Sequence, residues 1–76
     1  MQLFYKNMSG RTCPIDVSPL TTIEDIKQII EDREGTPIMH QRLVCNGRTL
    51  RDGTVISDYN VAPGMTIELL LRMMGG

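Results

Sequence analysis

Residues 22–35 read TIEDIKQIIEDREG, and this stretch decides the fold. Thr22 is a favourable N-cap residue, and an acidic residue follows three positions later, close to a capping-box arrangement. Gly35 suits a left-handed C-cap, and Pro37 prevents continuation of the helix. Ile23, Ile26 and Ile30 form one apolar stripe at helical spacing, which predicts an amphipathic helix. Ile29 lies off this stripe, and the sequence does not decide whether it is buried.

The segment before the helix predicts a β-hairpin. Residues 1–6 are rich in large apolar side chains, and the turn at residues 8–10 ends in a glycine suited to positive φ. Residues 13–17 alternate between apolar and polar types, which is typical of a strand with one buried face. Pro14 has no N–H to donate to a neighbouring strand, so this strand is predicted to lie at a sheet edge.

The segment after the helix predicts further strands. Residues 41–45 form one, and Asn46-Gly47, a strong hairpin signal, leads into a brief return at residues 48–50. Pro63-Gly64 fits a type II turn. Residues 65–72 form the last strand, in which Ile67, Leu69 and Leu71 alternate with Thr66, Glu68 and Leu70. The predicted order is β-β-α-β-β, an α+β fold in which one amphipathic helix covers a mixed sheet.

Size and composition exclude several classes of function. A chain of 76 residues makes one small domain with little room for a deep catalytic cleft. Its net charge of −1 favours neither nucleic acid nor a membrane surface as a partner. No apolar run is long enough for a transmembrane helix, and Lys6, Asn7 and Ser9 interrupt any signal-peptide core. We expect a soluble intracellular domain.

Reactive side chains are few. Cys13 and Cys45 are too few for a disulfide scaffold, and both lie in strand patterns where buried, inert thiols are usual. His40 is the only histidine, which disfavours a metal site or a Cys-His nucleophile. We expect no metal, no cofactor and no enzymatic activity.

The sequence ends in Gly75-Gly76. Two glycines carry an unhindered carboxylate on a flexible segment, which suits a chain whose C-terminus is the reacting group. A frayed terminus with no chemical role can end in the same two glycines, so this feature alone leaves both interpretations open. We expect a folded domain at residues 1–72 followed by a flexible conjugation tail at residues 73–76.

Matching stretches run along the whole chain. They are Met1-Gln2-Leu3-Phe4, Thr22-Ile23-Glu24, Glu34-Gly35, Gln41-Arg42-Leu43, Asp52-Gly53, Ser57-Asp58-Tyr59-Asn60, Leu71-Arg72 and Gly75-Gly76. On these residues the chain resembles the ubiquitin family, without gaps and at the same length. The resemblance implies a β-grasp fold and a role as a protein modifier. In that family an activating enzyme adenylates the terminal glycine carboxylate, a conjugating enzyme carries it as a thioester, and it ends as an isopeptide on a substrate lysine.

The resemblance also implies the site residues. Conjugation would use Gly76 and Gly75, and recognition by the activating enzyme would use Arg72, Arg42 and Leu71. Met74 replaces a second arginine of the family tail, which puts the efficiency of activation in doubt. The partner-binding patch would comprise Met8, Val44, Leu70, Glu68 and Gly47, with Glu68 in place of a histidine.

The chain-building lysines of the family are largely missing. The possible acceptors that remain are Lys6, Lys27 and the Met1 amine, while Arg11, Ile29, Arg33, Arg48 and Pro63 occupy the other family positions. Arginine keeps the charge but is not an acyl acceptor, because its guanidinium stays protonated. We therefore expect a modifier that acts singly or terminates chains; drift in a protein that never made chains explains the pattern equally well.

The expected partners are activating and conjugating enzymes, ligases, substrate proteins and ubiquitin-binding domains, in the cytoplasm and nucleus, with the chain itself a monomer. Two other functions stay open: a non-conjugated interaction domain of a larger protein, and a β-grasp sulfur carrier. In the resembling fold, three strand spacings, about 14 Å, separate Cys13 from Cys45. That exceeds the limit of about 7 Å for a disulfide, so two free thiols are predicted.

Overall fold

The fold is an α+β sheet-and-helix structure, described for residues 1–72 by a computed structural model. The elements are β1 (Gln2–Lys6), β2 (Thr12–Asp16), α1 (Ile23–Glu34), β3 (Gln41–Cys45), β4 (Arg48–Leu50) and β5 (Thr66–Leu71), with short 3-10 helices at Ile38–His40 and Ile56–Asp58. The predicted order β-β-α-β-β is wrong by one strand. The brief return at residues 48–50 is a strand in its own right, because the tight turn before it lets it pair with β3.

The sheet is mixed, and its strand order is β2-β1-β5-β3-β4. The first and last strands pair in parallel in the middle, and the two hairpins extend the sheet to its edges. The edge position predicted for the strand that contains Pro14 is confirmed. The carbonyl oxygen of Pro14 accepts a hydrogen bond from the guanidinium of Arg33 on α1, at 2.5 Å.

The helix begins and ends where its caps were predicted. The Thr22 hydroxyl accepts the N–H of Asp25 at 3.1 Å. Gly35 has a φ of 79°, and its N–H donates to the carbonyl of Glu31 at 2.8 Å. Ile29 is half-buried against the core, so it widens the buried side of α1. None of the helices in the described part of the chain has the length and apolar character needed to cross a membrane.

The core lies between α1 and one face of the sheet. It consists of Leu3, Tyr5, Ile15, Val17, Ile23, Ile26, Ile30, Leu43, Cys45, Leu50, Ile56, Ile67 and Leu69. Burial raises the pKa of the Cys45 thiol. Cys13 on β2 is half-buried, and both thiols are free, as predicted.

Candidate interaction surface

The outer face of the sheet carries the predicted partner-binding patch. Val44 and Leu70 lie on this face, because their chain neighbours on β3 and β5 fill the core. The register pairs Val44 with Glu68, and Leu70 with Arg42. Diagonal neighbours on one face of an antiparallel pair are about 7–8 Å apart. The two apolar side chains therefore form one surface unit.

Met8 extends this patch from the turn between β1 and β2. Its side chain is 53% exposed. Asn7 fixes the turn, because its Oδ1 accepts the N–H groups of Ser9 at 3.1 Å and Arg11 at 2.8 Å. Met8 and Leu70 line the same surface depression of about 250 Å³. The structure thus brings together residues that are far apart in sequence.

Glu68 gives the patch a negative charge. The register aligns it with Lys6 on β1 and with Val44 on β3. It is exposed and lines the same depression as Met8. A carboxylate at the rim of an apolar patch changes partner choice and association rate more than affinity.

Gly47 lies in the tight turn between β3 and β4. Asn46 and Gly47 have φ values of 56° and 76°, which make a type I′ turn with the twist that antiparallel strands need. A Cβ at residue 47 would meet nothing within 4 Å. Its positive φ, rather than crowding, is what favours glycine there.

The residues predicted for recognition by an activating enzyme lie together at one end of the sheet. Arg42, Leu71 and Arg72 line a common depression of about 620 Å³. The N–H of Arg72 donates to the carbonyl of His40 at 2.7 Å, and the Arg42 guanidinium donates to the Thr49 hydroxyl at 3.3 Å. Leu71 is 55% exposed, although it alternates with core residues of β5, because it is the last residue of that strand.

The three candidate acceptor amines differ in accessibility. Lys6 is exposed at the end of β1. Lys27 on α1 is only 5% exposed, and its Nζ donates to Asp52 Oδ1 at 2.8 Å. The Met1 amine donates to the carbonyl of Val17 in a partly buried hydrogen bond. Of the three candidate amines, Lys6 is therefore the one that another protein can reach without rearrangement of the domain.

Comparison with known proteins establishes the family. The family model described as "Ubiquitin family" matches residues 3–74. The chain belongs to the ubiquitin family. The β-grasp fold expected from the sequence is confirmed by this match and by the mixed five-stranded sheet with one helix.

The relatives of this ubiquitin-family chain include proteins of about its own length and proteins that are much longer. It is 36% identical to NEDD8-like protein RUB3 of Arabidopsis thaliana and 33% identical to ubiquitin-like protein NEDD8 of Dictyostelium discoideum. Both matches cover the whole chain and 97% and 99% of the relatives. It is 37% identical to AN1-type zinc finger protein 4 of Mus musculus, again over the whole chain, but spans only 10% of that protein.

The conjugation residues predicted for this ubiquitin-family chain, Gly75 and Gly76, lie outside the described residues, and so does Met74. Within residues 1–72, no cluster of three or more His, Cys, Asp or Glu side chains is placed to hold a metal ion. His40 lies in the short 3-10 helix before β3, and its carbonyl anchors Arg72.

Two polar features of this ubiquitin-family domain escaped the sequence analysis. The first is a pocket of about 430 Å³ lined by Arg48, Thr49, Arg51 and Tyr59, called here the arginine pocket. The sequence feature that could have indicated this pocket is the pair Arg48 and Arg51, three residues apart and next to a hairpin turn. The second is the hydroxyl of the buried Tyr5, which donates to Glu34 Oε2 at 2.7 Å. In the sequence Tyr5 is one of several large side chains of the first strand, and nothing in the local pattern predicts that its hydroxyl contacts Glu34.

Proposed function

We propose that this chain is a protein modifier that is joined through the Gly76 carboxylate to amines of substrate proteins. The observation that carries the proposal is the near-complete coverage of the two NEDD8-like relatives, at 97% and 99% of their length. A match over nearly the whole length of two NEDD8-like proteins supports a modifier of the same kind. The proposal requires a free Gly76 carboxylate.

Other enzymes supply the chemistry. The Gly76 carboxylate attacks ATP and becomes an acyl adenylate, with release of pyrophosphate. An enzyme thiol displaces AMP to give a thioester, and a substrate amine then displaces the thiol to give the isopeptide. This chain is the transferred acyl group, not the catalyst, and it supplies no catalytic side chain in this scheme.

Recognition by the activating enzyme would use Arg72 and Arg42. Both are exposed and line the depression of about 620 Å³ at the end of the sheet. Arg72 is four residues from Gly76 in the sequence, so a protein that binds Arg72 lies close along the chain to the reacting carboxylate. Exposed guanidiniums suit carboxylates on such an enzyme, because they form bidentate hydrogen bonds.

Ubiquitin-binding domains and similar receptors would use the patch of Met8, Val44 and Leu70. Its apolar centre and the acidic rim at Glu68 favour a partner with an apolar helix or strand and a basic residue beside it. We place this activity, as a proposal, in the cytoplasm and nucleus.

The test is formation of a thioester. The chain ending at Gly76 is incubated with a ubiquitin-type or NEDD8-type activating enzyme and ATP, and a reducible adduct is followed on gels. Arg72→Ala should slow its formation about tenfold or more, and Met74→Arg should speed it. Arg11→Ala, which changes an exposed arginine of the β1–β2 turn, is the matched control and should have no effect.

Failure to form a thioester with either enzyme, at saturating concentration and with a folded chain, would favour a second function. This is a non-conjugated interaction domain, and the match to a tenth of the mouse zinc finger protein supports it. In that case the receptor patch would bind partners unchanged, and Gly76 would be followed by further chain.

A further inference from the structure

The charge of this molecule is unevenly placed. Its net charge is −1, yet the arginine pocket and the adjoining depression of about 620 Å³ together hold a concentration of cations. The two share Thr49 and Arg51 and lie side by side along β4. Their basic residues are Lys27, Arg42, Arg48, Arg51 and Arg72, and their one acidic residue is Asp52.

The single carboxylate does not neutralise the arginines. Asp52 pairs with Lys27 at 2.8 Å, and this is the one ion pair within 4.0 Å among residues 1–72. Two nearby carboxylates are engaged by main-chain groups: Glu24 accepts the N–H of Gly53, and Asp58 accepts the N–H of Val55. The guanidiniums of the arginine pocket therefore have no carboxylate partner in the described part of the chain.

The arginine pocket has a fixed wall. The Tyr59 hydroxyl accepts the main-chain N–H of Arg51 at 2.9 Å and lies 3.0 Å from the Thr54 hydroxyl. The guanidinium of Arg48 lies over the Tyr59 ring, 5.4 Å from its centre. A stacked guanidinium keeps its hydrogen-bonding edge available, and less entropy is lost when a ligand orders it.

The open edge of β4 adds a second feature. Cys45 and Arg48 flank the type I′ turn and form the closing pair of the hairpin. In an antiparallel ladder the next residue of such a hairpin, Thr49, has its N–H and C=O directed away from the partner strand. An extended segment can hydrogen bond there, beside both arginines.

We propose that the arginine pocket, with the open edge at Thr49, binds an extended acidic peptide segment of a partner protein. Carboxylates match the planar guanidiniums of Arg48 and Arg51. Apolar side chains on the same segment would contact the exposed Leu71 in the adjoining depression. An extended peptide fits better than a nucleic acid, because the open edge at Thr49 offers main-chain groups that another peptide strand can pair with.

This inference does not rest on conjugation, and the test separates the two. A fluorescein-labelled peptide that alternates Glu and Leu is titrated with the full chain, and its anisotropy is followed at low and high salt. Binding should weaken about tenfold or more at high salt, because the contacts are charged and exposed. In ¹⁵N-labelled protein, the largest shifts should fall on Arg48, Thr49, Arg51 and Tyr59.

Variants locate the site. The double substitution Arg48→Gln with Arg51→Gln should raise the Kd about tenfold, while Arg11→Gln, an exposed arginine of the β1–β2 turn, should leave it unchanged. Thermal unfolding checks that the double variant folds. Thioester formation by the single variant Arg48→Gln should match that of the parent chain, since Arg48 does not line the depression of about 620 Å³ assigned to the activating enzyme.

Several results would overturn the proposal. They are equal weakening by Arg11→Gln, equal binding of a peptide that alternates Gln and Leu, tighter binding of an RNA oligonucleotide, and self-association of the chain through the same residues. Absence of binding at millimolar peptide in low salt would overturn it as well.

Discussion

At the scale of single residues, Tyr5 is the side chain with the most specific environment. It is fully buried on β1, yet its hydroxyl reaches Glu34 at the end of α1, at 2.7 Å. The Arg33 guanidinium lies 6.0 Å from the centre of its ring. Tyr5 therefore links the first strand to the C-terminal end of the helix by a hydrogen bond as well as by packing.

Tyr5→Phe should destabilise the fold by about 1 kcal/mol at neutral pH, because it removes this hydrogen bond and leaves the apolar packing in place. Urea unfolding of the two proteins measures the difference. A loss above about 3 kcal/mol would show that the substitution disturbs the packing of the ring and does more than remove one hydrogen bond. Glu34→Gln keeps an acceptor at the same position and is the matched control, with a smaller loss expected.

The same pair predicts a dependence on alkaline pH. Burial, followed by the hydrogen bond to Glu34, raises the pKa of Tyr5 above its ordinary value of 10.0. Above pH 10 the unfolded chain loses the tyrosine proton while the folded chain keeps it, so stability falls as pH rises. In this range the free energy of unfolding falls by about 1.4 kcal/mol for each pH unit. By about pH 11 the advantage of the parent chain over Tyr5→Phe should vanish, and an undiminished advantage would contradict the shifted pKa.

At the scale of elements, α1 depends on its first cap. The Thr22 hydroxyl satisfies the N–H of Asp25, one of the donors that have no partner within a helix. Thr22→Ala should cost about 1 kcal/mol of unfolding free energy, whereas Thr22→Ser, which keeps the hydroxyl, should cost clearly less. Chemical denaturation of the three proteins compares them. Equal losses for both variants would mean that packing at residue 22, not the cap, supports the helix.

The elements also show what the sequence could predict. The caps at Thr22 and Gly35, the turn at Asn46-Gly47 and the edge position of Pro14 are local signals, and each is confirmed. The pairing of β1 with β5 joins the two ends of the chain, and no local pattern encodes such a contact. The strand at residues 48–50 was missed as an element because it is too short to show a period.

The candidate sites divide in the same way. Val44, Glu68 and Leu70 could be placed on one surface from strand alternation and family resemblance together. The arginine pocket could not be placed, because Tyr59 comes from an irregular stretch and meets Arg48 only through tertiary packing. Charge clusters that form between distant segments are invisible to a reading along the chain.

At the scale of the whole molecule, the burial of Lys27 and the exposure of Lys6 predict which amine of the chain reacts first with an acyl donor. The Nζ of Lys27 donates to Asp52, and the carbonyl of Lys27 accepts from the buried Gln41 amide at 2.9 Å. Before the Lys27 amine can react, it must become exposed to solvent and its ion pair with Asp52 must break. Brief treatment with an acylating reagent should therefore label Lys6 at least tenfold faster than Lys27, as read by mass spectrometry.

In a conjugation assay with ligases that build ubiquitin chains, the same asymmetry predicts single adducts and sparse linkage through Lys6. Lys6→Arg should remove that linkage, and Lys27→Arg, the matched control, should not change it. Arg48→Lys should increase polymer formation, because Arg48 is exposed on β4 and lysine restores an acceptor there. Diglycine mapping identifies each linkage. Abundant polymer through Lys27 or the Met1 amine of the parent chain would show that burial in the folded domain does not limit chain formation.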